Sequence, residues 1–475
     1  MAYNVENLFD VDRVAVFDDY VERPGDPNGW GPAKLWRKLE GIGRVLKCVG
    51  NGSGPDVLIL CEVEIDFTPE TRVPDLPRFL AEHRHETARR MLTEGPEESL
   101  RGLPAEAWLL KHLSDIGIEG YSVVVGTDVG TAPQRAEIAH KNVILSRLPV
   151  VSSAIHRASG ARDIVEAVLS FEGHRIHVFA NHWKSGASSP AHEETRIGNA
   201  MVLRRRLDEI LRKDPHAHVI VGGDLNSHHD QGQRYPHLRR TALHDVLGSQ
   251  GSKRATARPG GPDLYDLWHE LPPEQRRSDQ FDGEWGTLMH VIVSRGMLDG
   301  VGVEFTDGSF GPLVLPGTNA HPPLQIPWRW TSHGPGAGTS DHFPLVASFH
   351  VSQQKVSRDL SQPPDHAAVP RHATRVGYDA IDRSQLRDAA FLESASPDEV
   401  ARAIGEIFKI EARVSSARPF EVFVGKRRLA VHSFNRDLKE SLRAWKADET
   451  VRFVGELGTY KGRLQFVIHD PSWVR

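Results

Sequence analysis

The apolar residues of this chain come in runs of strand length, and that limits what it can fold into. Val57 to Cys61, Tyr121 to Gly126, Asn142 to Ser146, Ile164 to Phe171, Arg175 to Asn181, Ala217 to Gly222, His290 to Ser294 and Leu345 to Phe349 each predict a β-strand. None approaches the roughly 20 residues that span a bilayer, so no transmembrane helix is expected. The clearest helical pattern runs from Ala191 to Lys213, where Ile197, Ala200, Leu203, Leu207, Ile210 and Leu211 form one stripe. An amphipathic helix of that kind packs against a sheet. Strands and helices mixed over residues 1–350 predict one large α/β domain.

Within it, residues 68–112 are polar, helix-forming and punctuated by Pro69, Pro74, Pro77, Pro96 and Pro104, and read as a helical insertion. Residues 351–372 turn polar, with Gln353, Gln354, Ser361, Gln362, Pro363, Pro364 and Pro370, and predict a linker. A second domain, 373–475, is β-rich. Phe408 to Val414 alternates apolar with charged residues, and Glu421 to Val424, Arg428 to Phe434, Val451 to Leu457 and Arg463 to His469 follow, with a helical run from Asn435 to Trp445. Five strands at this spacing predict a small closed β-barrel.

Composition removes several classes of function. With 39% hydrophobic and 25% charged residues, the 475-residue chain has the makings of a core and does not fit a disordered protein. A net charge of -5 argues against coating nucleic acid by bulk charge. The charge is uneven, however: residues 396–475 hold 15 Lys plus Arg against 11 Asp plus Glu. Cys48 and Cys61 are the only cysteines, too few for a disulfide framework or a thiolate zinc site. The first thirty residues contain Glu6, Asp10, Asp12, Asp18 and Asp19 and no apolar signal region, so a cytoplasmic location is expected.

Five polar clusters sit at the ends of the apolar runs. They are Asn4-Val5-Glu6-Asn7; Glu62, directly after Val57 to Cys61; Asn181-His182-Trp183-Lys184-Ser185; Gly223-Asp224-Leu225-Asn226; and Ser340-Asp341-His342 before the last run. Strand ends converge on one rim of a sheet, where residues distant in sequence meet. Each cluster alone would serve as a cap or a turn. Together they form a set that independent turns have no reason to supply, suited to phosphodiester hydrolysis with a hard divalent cation, Mg2+ or Mn2+. Glu62 and Asp341 are candidate ligands. Asp224 suits a carboxylate that orients or deprotonates water, and His182 and His342 suit donors to developing negative charge. Asn181 and Asn226 would fix geometry, and Lys184 would hold a phosphate oxygen. Asn142 is a further candidate substrate contact. His228-His229-Asp230 invites a second metal reading, although neighbours in an extended segment point opposite ways.

Asn-Val-Glu-Asn-Leu-Phe-Asp at 4–10, Glu62, Asn-His-Trp-Lys-Ser at 181–185, Gly-Asp-Leu-Asn at 223–226 and Ser-Asp-His at 340–342 resemble the endonuclease/exonuclease/phosphatase superfamily, the deoxyribonuclease I-like fold. The motifs follow the superfamily's order across residues 1–350. The resemblance implies a four-layer α/β/β/α sandwich and Mg2+-dependent in-line attack of water on phosphorus. It implies Asn4 and Glu62 as metal-side ligands, with Glu6 a secondary candidate, and Asp341 as a metal-side or base-side carboxylate. It also implies Asp224 as the water-directing carboxylate, Asn226 as its neighbour, and His182 and His342 as transition-state donors. Two positions depart from the pattern. Met289 stands where an Asp commonly orients the final histidine, leaving Asp279, Asp282 or Glu284 as substitutes, and Ser227 stands where an Asp is frequent.

The tail from Val451 to Val467 resembles the closing strands of OB-fold domains, which bind single strands through basic grooves and aromatic platforms. Most of its aromatic residues should fill the barrel, leaving Tyr460, beside Lys461 and Arg463, as the leading contact. The reading is therefore a Mg2+-dependent nuclease, acting on DNA more than RNA, with nucleic acid as its partner and no membrane. One alternative is a phosphatase or phosphodiesterase of phospholipids or small esters, with Pro327-Trp328-Arg329-Trp330 as a membrane-facing loop. Another is a nucleic-acid-binding protein whose site has decayed at Met289.

Overall fold

Period-two burial along each strand builds the layers. In Val57–Glu64, Leu58, Leu60 and Val63 pack on one side and Ile59 on the other. The computed structural model describes all residues except 24, 27–28, 69–74, 95–96, 127–137, 259, 282, 331–335, 353–376, 382, 418, 434 and 461–462. The first sheet has six strands in the order Gly311–Pro312, Leu345–Val346, Ala2–Leu8, Val57–Glu64, His140–Ser146 and Ser122–Val125. The second has seven: Val150–His156, Ile164–Phe171, His174–His182, His218–Asp224, Met289–Ser294, Leu264–Asp266 and Ser249–Gln250.

Three cores separate four layers. Ala2, Ile59 and Ile144 meet Ala167, Val178 and Val291 between the two sheets. Outside the first sheet, Tyr3, Leu60 and Val143 pack against Leu39, Ile42 and Leu46 of the helix Pro32–Lys47 and Trp108 of the helix Ala105–Asp115. Outside the second, Phe179, Val219 and Val221 bury Ile197, Leu203, Leu207 and Ile210 of the helix Pro190–Lys213, the stripe expected from sequence. The fold is the α/β/β/α sandwich. No helix of the described residues is long and apolar enough to cross a membrane.

The second fold unit is also as expected. Ile407–Ala417, Phe420–Val424, Arg427–His432, Arg463–Val467 and Thr450–Tyr460 pair in that order, and the last pairs with the first, closing a five-stranded barrel. Arg427–His432 and Arg463–Val467 run parallel, and along the chain the helix Arg436–Leu442 stands between Arg427–His432 and Thr450–Tyr460, an OB-like arrangement. Phe408, Phe453 and Phe466 meet inside it. Phe434 and Lys461 lie outside the described residues, as does the predicted linker beyond Ser352.

One expected strand is two. Leu345–Val346 joins the first sheet, while Phe349–Ser352 pairs with Gly302–Phe305 in a separate ribbon. The strand Val150–His156 has no counterpart in the sequence reading, because its run of exposed residues at a sheet edge lacks an apolar signal.

Candidate active site

Each sheet has one parallel pair near its middle, and these two pairs aim their ends at one rim. Ala2–Leu8 and Val57–Glu64 are the parallel pair of the first sheet; His174–His182 and His218–Asp224 are that of the second, with His182 opposite Asp224 in register. The backbone is bent to serve the rim. The pairing of the first two strands shifts between Asn4 and Leu8, and Glu62 falls in the irregularity between Leu60 and Val63 with φ 64°. Asn226 has φ 48°. Non-glycine residues held in this region are uncommon and cluster where function fixes them. Gly223 has φ 121°, and a Cβ there would lie 2.1 Å from the Asn181 carbonyl oxygen, so only glycine admits the approach of these two strands.

The amide of Asn4 ties the sheets together. Its Nδ2 donates to Glu62 Oε1 at 3.0 Å and to Asp224 Oδ2 at 3.1 Å, while its Oδ1 accepts from the Glu6 backbone N–H at 2.9 Å. Asn4 thus presents a donor to the two carboxylates. Both imidazoles converge on the same oxygen: His182 Nε2 lies 3.7 Å and His342 Nε2 3.6 Å from Asp224 Oδ2. Glu62 Oε1 is 3.8 Å from His182 Nε2, and Asp341 Oδ1 is 3.7 Å from His342 Nε2. The structure therefore brings Asn4, Glu62, His182, Asp224, Asp341 and His342 together, with Glu62 and Asp341 the more exposed carboxylates and Asp224 buried beneath them.

Supporting bonds fix the set. The Asn226 N–H donates to Asp224 Oδ1 at 2.9 Å and its Nδ2 to the Trp183 carbonyl at 3.1 Å. Asn181 accepts from Trp183 Nε1 at 3.1 Å through Oδ1, so it holds the loop and is itself fully buried. Ser340 Oγ donates to the Asn4 carbonyl at 2.6 Å and accepts from the His342 N–H at 3.1 Å, seating the last motif on the first strand. Asn142 lies across from the Glu62 irregularity, its Nδ2 donating to the Asp163 carbonyl and its Oδ1 buried without a partner among the described residues. Lys184 anchors the next helix through its carbonyl, which accepts from Arg196 Nη1. Tyr460 and Arg463 are register partners across a hairpin of the barrel.

The two imidazoles differ electrostatically. Burial, then the positive charge of Arg162, holds His182 well below the usual imidazole range. Burial also pushes His342 down, but the carboxylates of Asp341, Asp224, Asp279 and Glu62 outweigh it and raise it to about 9. Burial and Asp341 raise Glu62. Glu6 turns away from the centre, accepting from Arg329 Nε at 2.7 Å and the Trp330 N–H at 2.6 Å, and burial raises it to about 8.

The departures resolve in particular side chains. Met289 sits beside Asp224 in the neighbouring strand and is buried. Asp279, in a ribbon formed by Asp279–Phe281 and Glu284–Gly286, pairs with His342 through an antiparallel bridge and is one of the carboxylates that raise it. Its Oδ1 accepts from Ser278 Oγ at 2.7 Å and the Leu288 N–H at 2.9 Å. Ser227 is buried, and its carbonyl meets His290 Nε2 at 2.7 Å, whose Nδ1 meets Asp266 at 2.8 Å. His228 and His229 are buried and engaged with Thr287, and their rings approach different neighbours, Tyr235 and His269. The loop with Trp328 and Trp330 does not project: Trp330 is buried against Trp30 and Lys38.

Arg162 was not anticipated. It stands just before Ile164–Phe171, reaches the Trp183 carbonyl and His140 Nδ1, and its charge bears on Glu62 and His182. A lone basic residue before an apolar run was its only signal.

Residues 141–351 match the model of the Endonuclease/Exonuclease/phosphatase family. The resemblance read from the motifs is thus matched by a family model over residues 141–351, which carry three of the five motifs. Among solved structures, the chain is similar to truncated Caenorhabditis elegans TDP2, at 15% identity over 66% of this chain and 91% of that one, with TM-score 0.37. It is similar to a humanized D. rerio TDP2 at 15% identity over 67% and 93%, with TM-score 0.39. It is also similar to an endonuclease/exonuclease/phosphatase family protein from Bacteroides thetaiotaomicron at 12% identity over 75% and 96%, with TM-score 0.39. A search of curated proteins finds no match.

Proposed function

We propose that the chain is a Mg2+-dependent nuclease that hydrolyses phosphodiester bonds of nucleic acid, DNA in preference to RNA, by in-line attack of water. The observation that carries this reading is the convergence of His182 and His342 on one oxygen of Asp224, with Glu62 and Asp341 flanking them. Asp224 orients the water and accepts its proton, and the imidazoles donate to the charge developing on the phosphoryl oxygens. Asn226 and Asn4 hold Asp224 in place. Lys184 would contact the phosphate backbone, and Arg162 adds positive charge beside Glu62 and His182, whereas Asn142 and Asn181 are fully buried and support the site from within.

The donor set fits a hard cation. Glu62 and Asp341 would be its oxygen ligands, and Asp341 Oδ1 has no hydrogen-bond partner among the described residues. Among the described residues no group of three or more His, Cys, Asp or Glu side chains is arranged to hold a metal ion, so Mg2+ here would depend on one or two carboxylates together with substrate phosphates. When bound, it supplies Lewis-acid stabilisation of the phosphoryl and leaving oxygens. The barrel would hold the strand through Tyr460, Lys461 and Arg463.

The test is incubation of the full chain with single- and double-stranded DNA and RNA, in Mg2+ or EDTA, with Asp224→Ala as control. Metal-dependent cleavage that Asp224→Ala abolishes is expected. Failure to cleave any of the four rejects the reading.

A further inference from the structure

Two segments beside the candidate active site carry positive charge and no acid. Residues 184–192, which follow His182 and Trp183, contain Lys184 and no Asp or Glu. Residues 231–241, which follow the Gly-Asp-Leu-Asn motif, contain Arg234, Arg239 and Arg240 and again no Asp or Glu. Arg234 is engaged. It pairs with Asp230 at 3.3 Å, and its Nη1 donates to the Trp285 carbonyl at 3.0 Å, tying the second segment to the ribbon that carries Asp279. Arg239 and Arg240 are exposed, and they, like the Lys184 ammonium, enter no ion pair among the described residues.

A buried ion pair fixes the two segments to each other. Arg196, fully buried in the helix Pro190–Lys213, donates from Nε to Glu193 Oε2 at 2.9 Å. Its two Nη atoms donate to the carbonyls of Lys184, Gly186 and Ala187 at 2.8, 3.2 and 2.9 Å. Glu193 in turn accepts from the Ala242 N–H at 2.7 Å and from Gln231 Nε2 at 3.2 Å, and Gln231 Nε2 also donates to the Ala187 carbonyl at 2.8 Å. His237 Nε2 meets the Ser188 carbonyl at 2.8 Å, and Leu238, next to Arg239, is buried. A buried pair with every nitrogen used holds one geometry, since loss of a partner strands a charge away from water. Lys184, Arg239 and Arg240 therefore stand on a rigid ledge that begins two residues after His182.

Like charges gathered on a fixed surface repel one another, and an anion whose charges match theirs relieves the repulsion. A nucleic-acid backbone presents such a row of phosphates, and the guanidinium fork suits each of them. We infer that Lys184, Arg239 and Arg240 hold the phosphates that flank the one being cut, so that the substrate is a polynucleotide whose backbone runs past His182 along this ledge. The inference rests on the nuclease reading and deepens it: a small phosphate ester would leave the ledge empty.

Fluorescence anisotropy of a labelled oligonucleotide with the full chain in EDTA reads the ledge without cleavage. Arg239→Ala with Arg240→Ala should weaken binding and lower the slope of log Kd against log salt by about 1.4 for a single strand or about 1.8 for a duplex. The wild type's advantage should shrink roughly tenfold between about 50 and about 200 mM salt, and Arg239→Lys with Arg240→Lys should retain most of it. In Mg2+, the alanine variant should raise KM for the oligonucleotide with kcat unchanged, while hydrolysis of bis(p-nitrophenyl) phosphate, which has no flanking phosphates, stays as in wild type. An unchanged slope, or an equal fall in activity on both substrates, overturns the ledge. A slope lowered as expected, in a chain that cleaves no oligonucleotide in Mg2+, supports the ledge and overturns the nuclease reading instead.

Discussion

At the scale of single residues, the site depends on positions where backbone and side chain are both committed. Gly223→Ala would force a Cβ to within 2.1 Å of the Asn181 carbonyl, at a φ that L-residues rarely adopt. Urea unfolding should show a loss of about 2–4 kcal/mol, from strain and overpacking together. Asp279→Asn retains the acceptor used by Ser278 and Leu288 and removes the charge facing His342. Steady-state kinetics on a DNA substrate should then show kcat lower by about tenfold to a hundredfold, with KM little changed. Unchanged kcat would mean that His342 needs no carboxylate from this ribbon. The motif residues Asn4, Glu62, His182, Asp224 and His342 were legible in the sequence because each follows or precedes an apolar run. Asp279 could only be offered with Asp282 and Glu284, since its selection depends on a bridge to His342 that no local pattern encodes. Arg162 was missed for the same reason.

At the scale of elements, apolar strands were legible and polar ones were not. Val150–His156, at the edge of the second sheet, is recruited by pairing with Ile164–Phe171, and its attachment is reinforced by charge. Glu166 is buried and bonded to His156 Nε2 and His177 Nδ1 at 2.8 Å each and to Arg206 Nε at 2.7 Å, joining two strands to the helix Pro190–Lys213 and the edge strand to both. Burial raises this carboxyl, but the bonds from both histidines and Arg206 outweigh it and hold it below the usual carboxylate range. A depressed carboxyl contributes stability above its unfolded value, and that contribution is lost as pH falls through the folded one. Glu166→Gln should therefore lower stability by about 2–3 kcal/mol at neutral pH. The difference from wild type should shrink below about pH 4, which chemical denaturation at several pH values would show. A constant difference would place the effect in packing alone.

At the scale of the molecule, the sandwich and barrel share material. Leu324 and Ile326, in the segment before the last motif of the sandwich, are buried in the barrel's core cluster. His321 Nε2 meets the Gly405 carbonyl at 2.7 Å. The same segment ends in Arg329 and Trp330, which hold Glu6, whose N–H holds Asn4. Leu324→Ala with Ile326→Ala should lower the melting temperature of both units, giving one calorimetric transition in wild type and a broadened or split one in the variant. Two separate transitions in the wild-type chain would show the units to be independent. The two fold types were legible, because alternation and strand length are local. Their joint was not, since the linker-like composition at 351–372 suggested that nothing before it belonged to the barrel.

That shared segment bears on how such an architecture changes over time or in the laboratory. A barrel taken from another protein and spliced on at the polar stretch would arrive without the plug that residues 321–326 push into it. It would also leave two apolar side chains of the recipient bare. Exchange of the barrel in such an architecture has to carry the plug along or redesign it, so the two halves are expected to travel and diverge as a pair.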